Sequence, residues 1–126
     1  MQPCIIGPSR IGRSTLLFPD VIIGHPSKET LLADRNFFAG KGAVIGEGCI
    51  LRSGTVVYEE TEIGDNVQTA HHVVIREGVK IGDGCVFGNG CVVREYGLLG
   101  TNVRLMECVV ISEGAIIGND VFIGPN

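Results

Sequence analysis

The sequence predicts an all-β solenoid, a stack of about six three-sided coils built from short strands. Three observations predict it. A hydrophobic period of six runs without insertion from Ile45 to Ile123, residues eighteen apart repeat one another's features, and glycine makes up 19 of 126 residues, about twice its usual share. Helices repeat every 3.6 residues and plain strands every two, so neither element alone accounts for a period of six.

The period has two inward positions. Stepping by six from Ile45, thirteen of fourteen residues are large and apolar, and Thr69 is the exception. Four residues after each start stands a small or β-branched residue, from Cys49 and Thr55 through Val67, Val73 and Cys85 to Val121. Six residues then describe a short strand and a corner, and three such units close one coil. Stacked coils bury what no single repeat can bury. Residues eighteen apart should therefore lie over one another at about the 4.8 Å strand spacing. Ile45, Ile63, Ile81, Leu99 and Ile117 form one such column, and each is followed by glycine: Gly46, Gly64, Gly82, Gly100 and Gly118. A corner that uses glycine in every coil needs either a positive φ or a close approach of neighbouring backbone.

The N-terminal part is out of phase. Three hexads begin at Ile11, Leu17 and Ile23, but their register differs from that set by Ile45. An inserted loop at 25–38, opened by His25-Pro26, absorbs the difference, and regular repeats resume over 39–126 within a single domain, 1–126. Such an insertion either carries function or caps the first coil.

Composition removes several classes of function. A net charge of -4 gives no basic footprint for a phosphate backbone, so nucleic acid is not an expected partner, and anionic membrane surfaces are disfavoured on the same ground. No apolar run approaches the roughly 18 residues of a membrane span, and no signal peptide is legible. The expectation is a soluble, cytoplasmic protein with reduced thiols. Cys49, Cys85 and Cys91 take the small inward position and read as core. Cys108 falls at a corner and reads as exposed. The absence of a Cys-x-x-Cys pair argues against a zinc site, and no metal is expected.

Glu59, Glu77, Glu95 and Glu113 stand eighteen apart at one corner. Arg76 and Arg94 each precede a glutamate of this column, which favours a salt-bridged outer ladder over a cation site or a subunit contact. The chemistry centres on histidine. Thr69, the polar residue at a large inward position, opens the hexad Thr69-Ala70-His71-His72-Val73. Counting by eighteen puts His71 in a column with Ser53, Asn89 and Glu107, and His72 with Gly54, Gly90 and Cys108. Asn89 is then placed to hydrogen-bond the His71 ring and fix its tautomer. Gly90 leaves open space beside His72.

The hexads Ile63-Gly64-Asp65-Asn66-Val67, Ile81-Gly82-Asp83-Gly84-Cys85 and Ile117-Gly118-Asn119-Asp120-Val121 resemble the hexapeptide-repeat family. That resemblance implies a left-handed parallel β-helix; the hand comes from the family, since ordinary parallel crossovers are right-handed. Most members of the family are trimeric acyltransferases with sites in clefts between subunits. The run VQTAHHVVIREGVKIGDGC and the final NDVFIGPN are similar to the branch that acetylates sugars and nucleotide-linked sugars. The resemblance implies transfer of an acetyl group from acetyl-CoA to an amine or hydroxyl of a sugar, in a homotrimer. His71 matches the slot of the family's base, and a backbone N–H stabilises the oxyanion. His72 stands where some members carry an acidic residue, so Asn89, Glu77 and Glu107 are the candidates for orienting the base. In the resembled branch the segment like 121–126 is followed by further coils, one with an Asn-bearing loop at the CoA cleft. The expectation here is therefore either a fragment of a longer acetyltransferase or a catalytically silent scaffold whose open edge another chain covers. A carbonic anhydrase of the same fold needs three His ligands for its metal, two of them a few residues apart; adjacent His71 and His72, with His25 out of phase, do not reproduce that spacing.

Overall fold

The computed structural model describes residues 2–125; Met1 and Asn126, the last residue of the repeats expected over 39–126, lie outside them. Short strands, most of two residues, assemble into three six-stranded sheets, every pair parallel and in the eighteen-residue register except the three that span the insertion, where Ile11 pairs with Ile45, Leu17 with Leu51 and Ile23 with Val57. Ile45 pairs with Ile63, Ile63 with Ile81, Ile81 with Leu99, and Leu99 with Ile117. The result is a three-walled parallel β-helix, consistent with the left hand of the resembled family. The first wall holds Cys4–Ile5, Ile22–His25, Val56–Tyr58, Val74–Ile75, Val92–Val93 and Val110–Ile111. The second runs from Arg10–Ile11 through Lys80–Ile81 to Ile116–Ile117, and the third from Leu16–Leu17 through Gln68–Thr69 to Phe122–Ile123.

The two inward positions divide the work of the core. Large residues such as Leu51, Val57, Ile75 and Phe87 fill the prism and are buried, each worth roughly 1.5–3 kcal/mol. The small position does more than fit. Cys49, Cys85 and Cys91 turn their Sγ–H toward the carbonyls of Gly64, Gly100 and Met106 in the next coil, at 3.2, 3.1 and 2.9 Å. Thr61 Oγ1 donates likewise to the Arg76 carbonyl at 2.7 Å. These carbonyls sit at corners, where the strand ladder leaves them short of donors. All five cysteines are free thiols; the three inner ones are buried and Cys108 is exposed. Burial pushes the Cys49, Cys85 and Cys91 thiols up, which keeps them protonated as donors. Thr69 obeys the same logic: fully buried, its hydroxyl meets Thr55 Oγ1 at 2.8 Å and accepts from the Arg52 amide at 3.2 Å.

Glycine is spent in two ways. The column Gly46, Gly64, Gly82 and Gly100 does not have positive φ; it is required by close approach, since a Cβ at Gly46 would stand 2.5 Å from the Gly64 carbonyl oxygen. Another corner position has positive φ in every hexad from Gly48 to Asp120. Here side chains alternate with glycines along each column up to Asn102, which Asp120 follows, because the side chain of one coil lies over the coil before it. His72 (φ 59°) covers Gly54 in this way, and Tyr96 covers Gly78.

The insertion falls where the phase break places it, but it is not a structureless loop. Ile11 pairs with Ile45 and Leu17 with Leu51, so the early hexads are true coils displaced by extra chain. That chain forms a helix, Lys28–Asp34, and a 3-10 turn, Phe37–Ala39. Ser27 caps the helix by accepting from the Thr30 amide, and Arg35 ends it in the left-handed conformation at φ 57°. The hexad period masked this short helix. A strand at Cys4–Ile5 also precedes the hexads read from the sequence.

Candidate functional site

His71 stands at the corner between the third and first walls, between Gln68–Thr69 and Val74–Ile75. Its side chain is exposed, and among the described residues its ring has no hydrogen-bond partner. Asn89 lies one coil above, as the spacing requires, yet it does not orient the ring. Its Oδ1 accepts from the His71 backbone N–H at 2.8 Å. Asp65, Asp83 and Asn119 brace another corner in the same way, accepting from the amides of Glu47, Asp65 and Thr101. Asn89 is therefore a corner brace that fixes the backbone bearing His71, a correction to the ring contact expected of it. The Asn89 amide in turn has no hydrogen-bond partner among the described residues.

The His72 ring is turned away from Gly90. It lies over Gly54, where a Cβ would stand 2.3 Å from its Nδ1, and the space above Gly90 is bounded by Cys108 Sγ, 3.4 Å from a Cβ there. The two histidines diverge: His72 covers the coil below, and His71 is left free.

A groove of about 270 Å³ runs along the third wall to this corner. Ala70 and Gly88, which immediately precede His71 and Asn89, close one end, and Glu107 shares the rim with Arg52, Gln68 and Arg104. Arg52 is held by its Nη1, which donates to Gln68 Oε1 and to the Thr69 carbonyl, both at 3.3 Å. Arg104 is exposed and joins no ion pair among the described residues. The groove thus offers two guanidinium groups, one carboxylate and a neighbouring imidazole. Sequence reasoning missed Arg52, Gln68 and Arg104, although the period carried the signal. Gln68, Val86 and Arg104 are successive outward residues of the third wall.

Glu77 is not part of this cluster. It lies at the far end of the first wall, on the corner leading to the second, six residues of extended chain from His71 and up to about 20 Å away. Its place in a His71 site on one chain is corrected accordingly. The column it belongs to is an ion-paired ladder in its middle coils: Arg76 Nε meets Glu77 at 3.2 Å, Arg94 Nε meets Glu95 at 2.8 Å, and Arg76 Nη2 reaches Glu95 at 3.9 Å. The Arg94 hydrogen bond holds the Glu95 carboxyl at about 2. Glu59 does something else. It is buried and ties down the insertion, accepting from the Ser27 amide at 2.9 Å, the Thr30 hydroxyl at 2.7 Å and the Lys41 amide at 2.8 Å. Burial alone would raise its carboxyl, but these hydrogen bonds outweigh burial and lower it to about 2.

Among the described residues, no three His, Cys, Asp or Glu side chains converge as a metal set, and no helix is long and apolar enough to cross a membrane.

The fold and corner define a hexapeptide-repeat β-helix with an exposed histidine beside a cationic groove. Residues 60–95, which include His71, His72, Glu77 and Asn89, match the family model for bacterial transferase hexapeptide (six repeats). Among solved structures, the chain is similar to a hexapeptide transferase family protein from Anaplasma phagocytophilum, with TM-score 0.73 and 16% identity, covering 97% of this chain and 73% of that one. It also matches the acetyltransferase domain of PglB from Neisseria gonorrhoeae, at TM-score 0.45 and 17% identity over 93% of this chain and 55% of that one. At such identities the first likeness speaks for the fold alone. No curated protein matches the sequence.

Proposed function

We propose that the chain is an acetyltransferase that moves an acetyl group from acetyl-CoA to an amine or hydroxyl of a sugar or nucleotide-linked sugar, with His71 as general base. The observation that carries this reading is the free His71 imidazole, held on a braced corner at the end of a groove with two guanidinium groups, inside the segment that matches the transferase hexapeptide model. Acetyl-CoA is the substrate that supplies the acyl group as a thioester; Arg52 and Arg104 fit its anionic character. His71 takes the proton from the acceptor as its nitrogen or oxygen bonds to the acyl carbon, and returns that proton to the departing thiolate as the carbon–sulfur bond breaks. The unpartnered amide of Asn89 is the nearest candidate donor to the oxyanion formed in between.

The reading includes a homotrimer. The first wall turns an unbroken apolar column outward, from Cys4 and Ile22 through Val56, Val74 and Val92 to Val110, whereas the other walls interleave charged residues such as Glu62, Lys80 and Arg104. The His71 corner bounds this wall on one side and the Glu77 corner on the other. Packing through the first wall brings the Glu77 of one copy toward the His71 of the next, the geometry in which Glu77 can orient the base. A silent scaffold is the rival. Purified protein is incubated with acetyl-CoA and a panel of amino sugars and sugar nucleotides, following free thiol and acceptor mass. Acetylated acceptor supports the enzyme; no transfer across the panel, with no acetyl-CoA binding by calorimetry, favours the scaffold.

A further inference from the structure

A second groove is larger than the one beside His71. It lies at the opposite end of the first wall, between that wall and the inserted helix, with a volume of about 500 Å³, the size of small-molecule sites. One side is a vertical stack of flat groups in the coil register. His25 packs on Tyr58 with ring centroids 4.4 Å apart, and the Arg76 guanidinium lies over the same Tyr58 ring at 4.6 Å. The other side is one face of the helix, with Lys28, Leu31 and Leu32 and, just past its end, Arg35. Leu32 is 60% exposed, an apolar side chain left open in the groove wall.

The charges in this groove are of one sign. Lys28, Arg35 and Arg76 line it, and no Asp or Glu does. Arg76 is fixed by Glu77 and Glu95 through Nε and Nη2, which leaves its Nη1 without a partner among the described residues, and Lys28 and Arg35 join no ion pair there. His25 Nδ1–H donates to the Pro26 carbonyl at 2.8 Å, so the tautomer is set and Nε2 remains for another partner. The wall is pre-organised: Glu59 anchors the insertion from beneath by three hydrogen bonds, and Phe37 packs edge-on against His25 at 5.3 Å.

From this groove of three cations around an aromatic and aliphatic lining, we infer a second ligand site, for a small organic phosphate whose organic part is flat or apolar. The phosphate dianion is met by Lys28, Arg35 and the free edge of Arg76, the bidentate arrangement that guanidinium groups offer phosphate. The organic part packs on Leu31, Leu32 and the edge of the His25–Tyr58 stack. The inference does not rest on acetyl transfer at His71: within one chain the two grooves lie on different corners, and its test reads binding alone.

The test is titration of the full chain with phenyl phosphate, followed by backbone amide NMR, with phenol and inorganic phosphate as reference probes. Saturable shifts confined to residues 25–35, Tyr58 and Arg76 are expected, with phenyl phosphate binding at least tenfold tighter than either reference. The exposed variants Arg35→Glu and Lys28→Glu should each weaken binding about tenfold or more while leaving the spectrum of the strands unchanged. No saturable shift in this groove, shifts that map instead to Arg52 and Arg104, equal affinity for phenol, or undiminished affinity in both charge-reversal variants would each overturn the assignment.

Discussion

At the scale of single residues, the corners set the position of the functional side chains. His72 is held at φ 59° with its ring over Gly54, so Gly54 belongs to the histidine pair although it carries no chemistry. Gly54→Ala places a methyl group against His72 Nδ1 and forces alanine to φ 82°, a conformation that costs about 1 kcal/mol before the clash is counted. Thermal denaturation should show a lower Tm than wild type; an unchanged Tm would mean that the ring is not seated there. Glu59 is the second such residue. Glu59→Gln leaves a buried amide facing two N–H groups and should destabilise the insertion by about 2 kcal/mol, read as faster proteolysis within 27–41 while the coils stay intact. Its depressed carboxyl gives the same anchor a pH dependence. The stabilisation is present above the unfolded value near 4.5 and is lost as pH falls through the folded value of about 2. Amide protection factors in the inserted helix, taken relative to intrinsic exchange at each pH, should therefore fall between about pH 4.5 and 2; protection unchanged across that window would contradict the anchoring role.

At the scale of elements, the strands and their stacking were legible because the period of six is a direct image of strand plus corner, and counting by eighteen reproduces the observed pairing of Ile63 with Ile81 and of Thr69 with Phe87. Two things were not legible. The inserted helix is seven residues long, too short for its own period to emerge beside the hexads. Side-chain direction at the corners also escaped, because stacking by eighteen gives columns but not whether a side chain leans to the coil above or below. Stacking by eighteen thus puts Asn89 over His71 without showing that it braces the amide and not the ring, and puts Gly54 and Gly90 on either side of His72 without showing that Gly54 receives the ring. The first wall carries the prediction at this scale. Val74→Asp puts a carboxylate in the middle of its outward apolar column without touching the core, which Ile75 fills. Sedimentation should show a trimer for the wild type and monomer for the variant, and a variant that remains trimeric would move the interface to another wall.

At the scale of the molecule, three stacked walls bring two grooves to the two edges of one apolar face. One ends at His71, and the other lies under the inserted helix. The first wall joins the edges, and in the proposed trimer each His71 corner would neighbour a Glu77 corner. The account rests most on His71 acting as the base. The direct measurement is the single-turnover rate of acetyl transfer by wild type, His71→Ala and His72→Ala, each checked for an unchanged fold by circular dichroism. The account predicts a fall of at least about 100-fold for His71→Ala and a change of only a few-fold for His72→Ala, whose ring is spent on Gly54. Equal rates for wild type and His71→Ala, or a loss confined to His72→Ala, would contradict it.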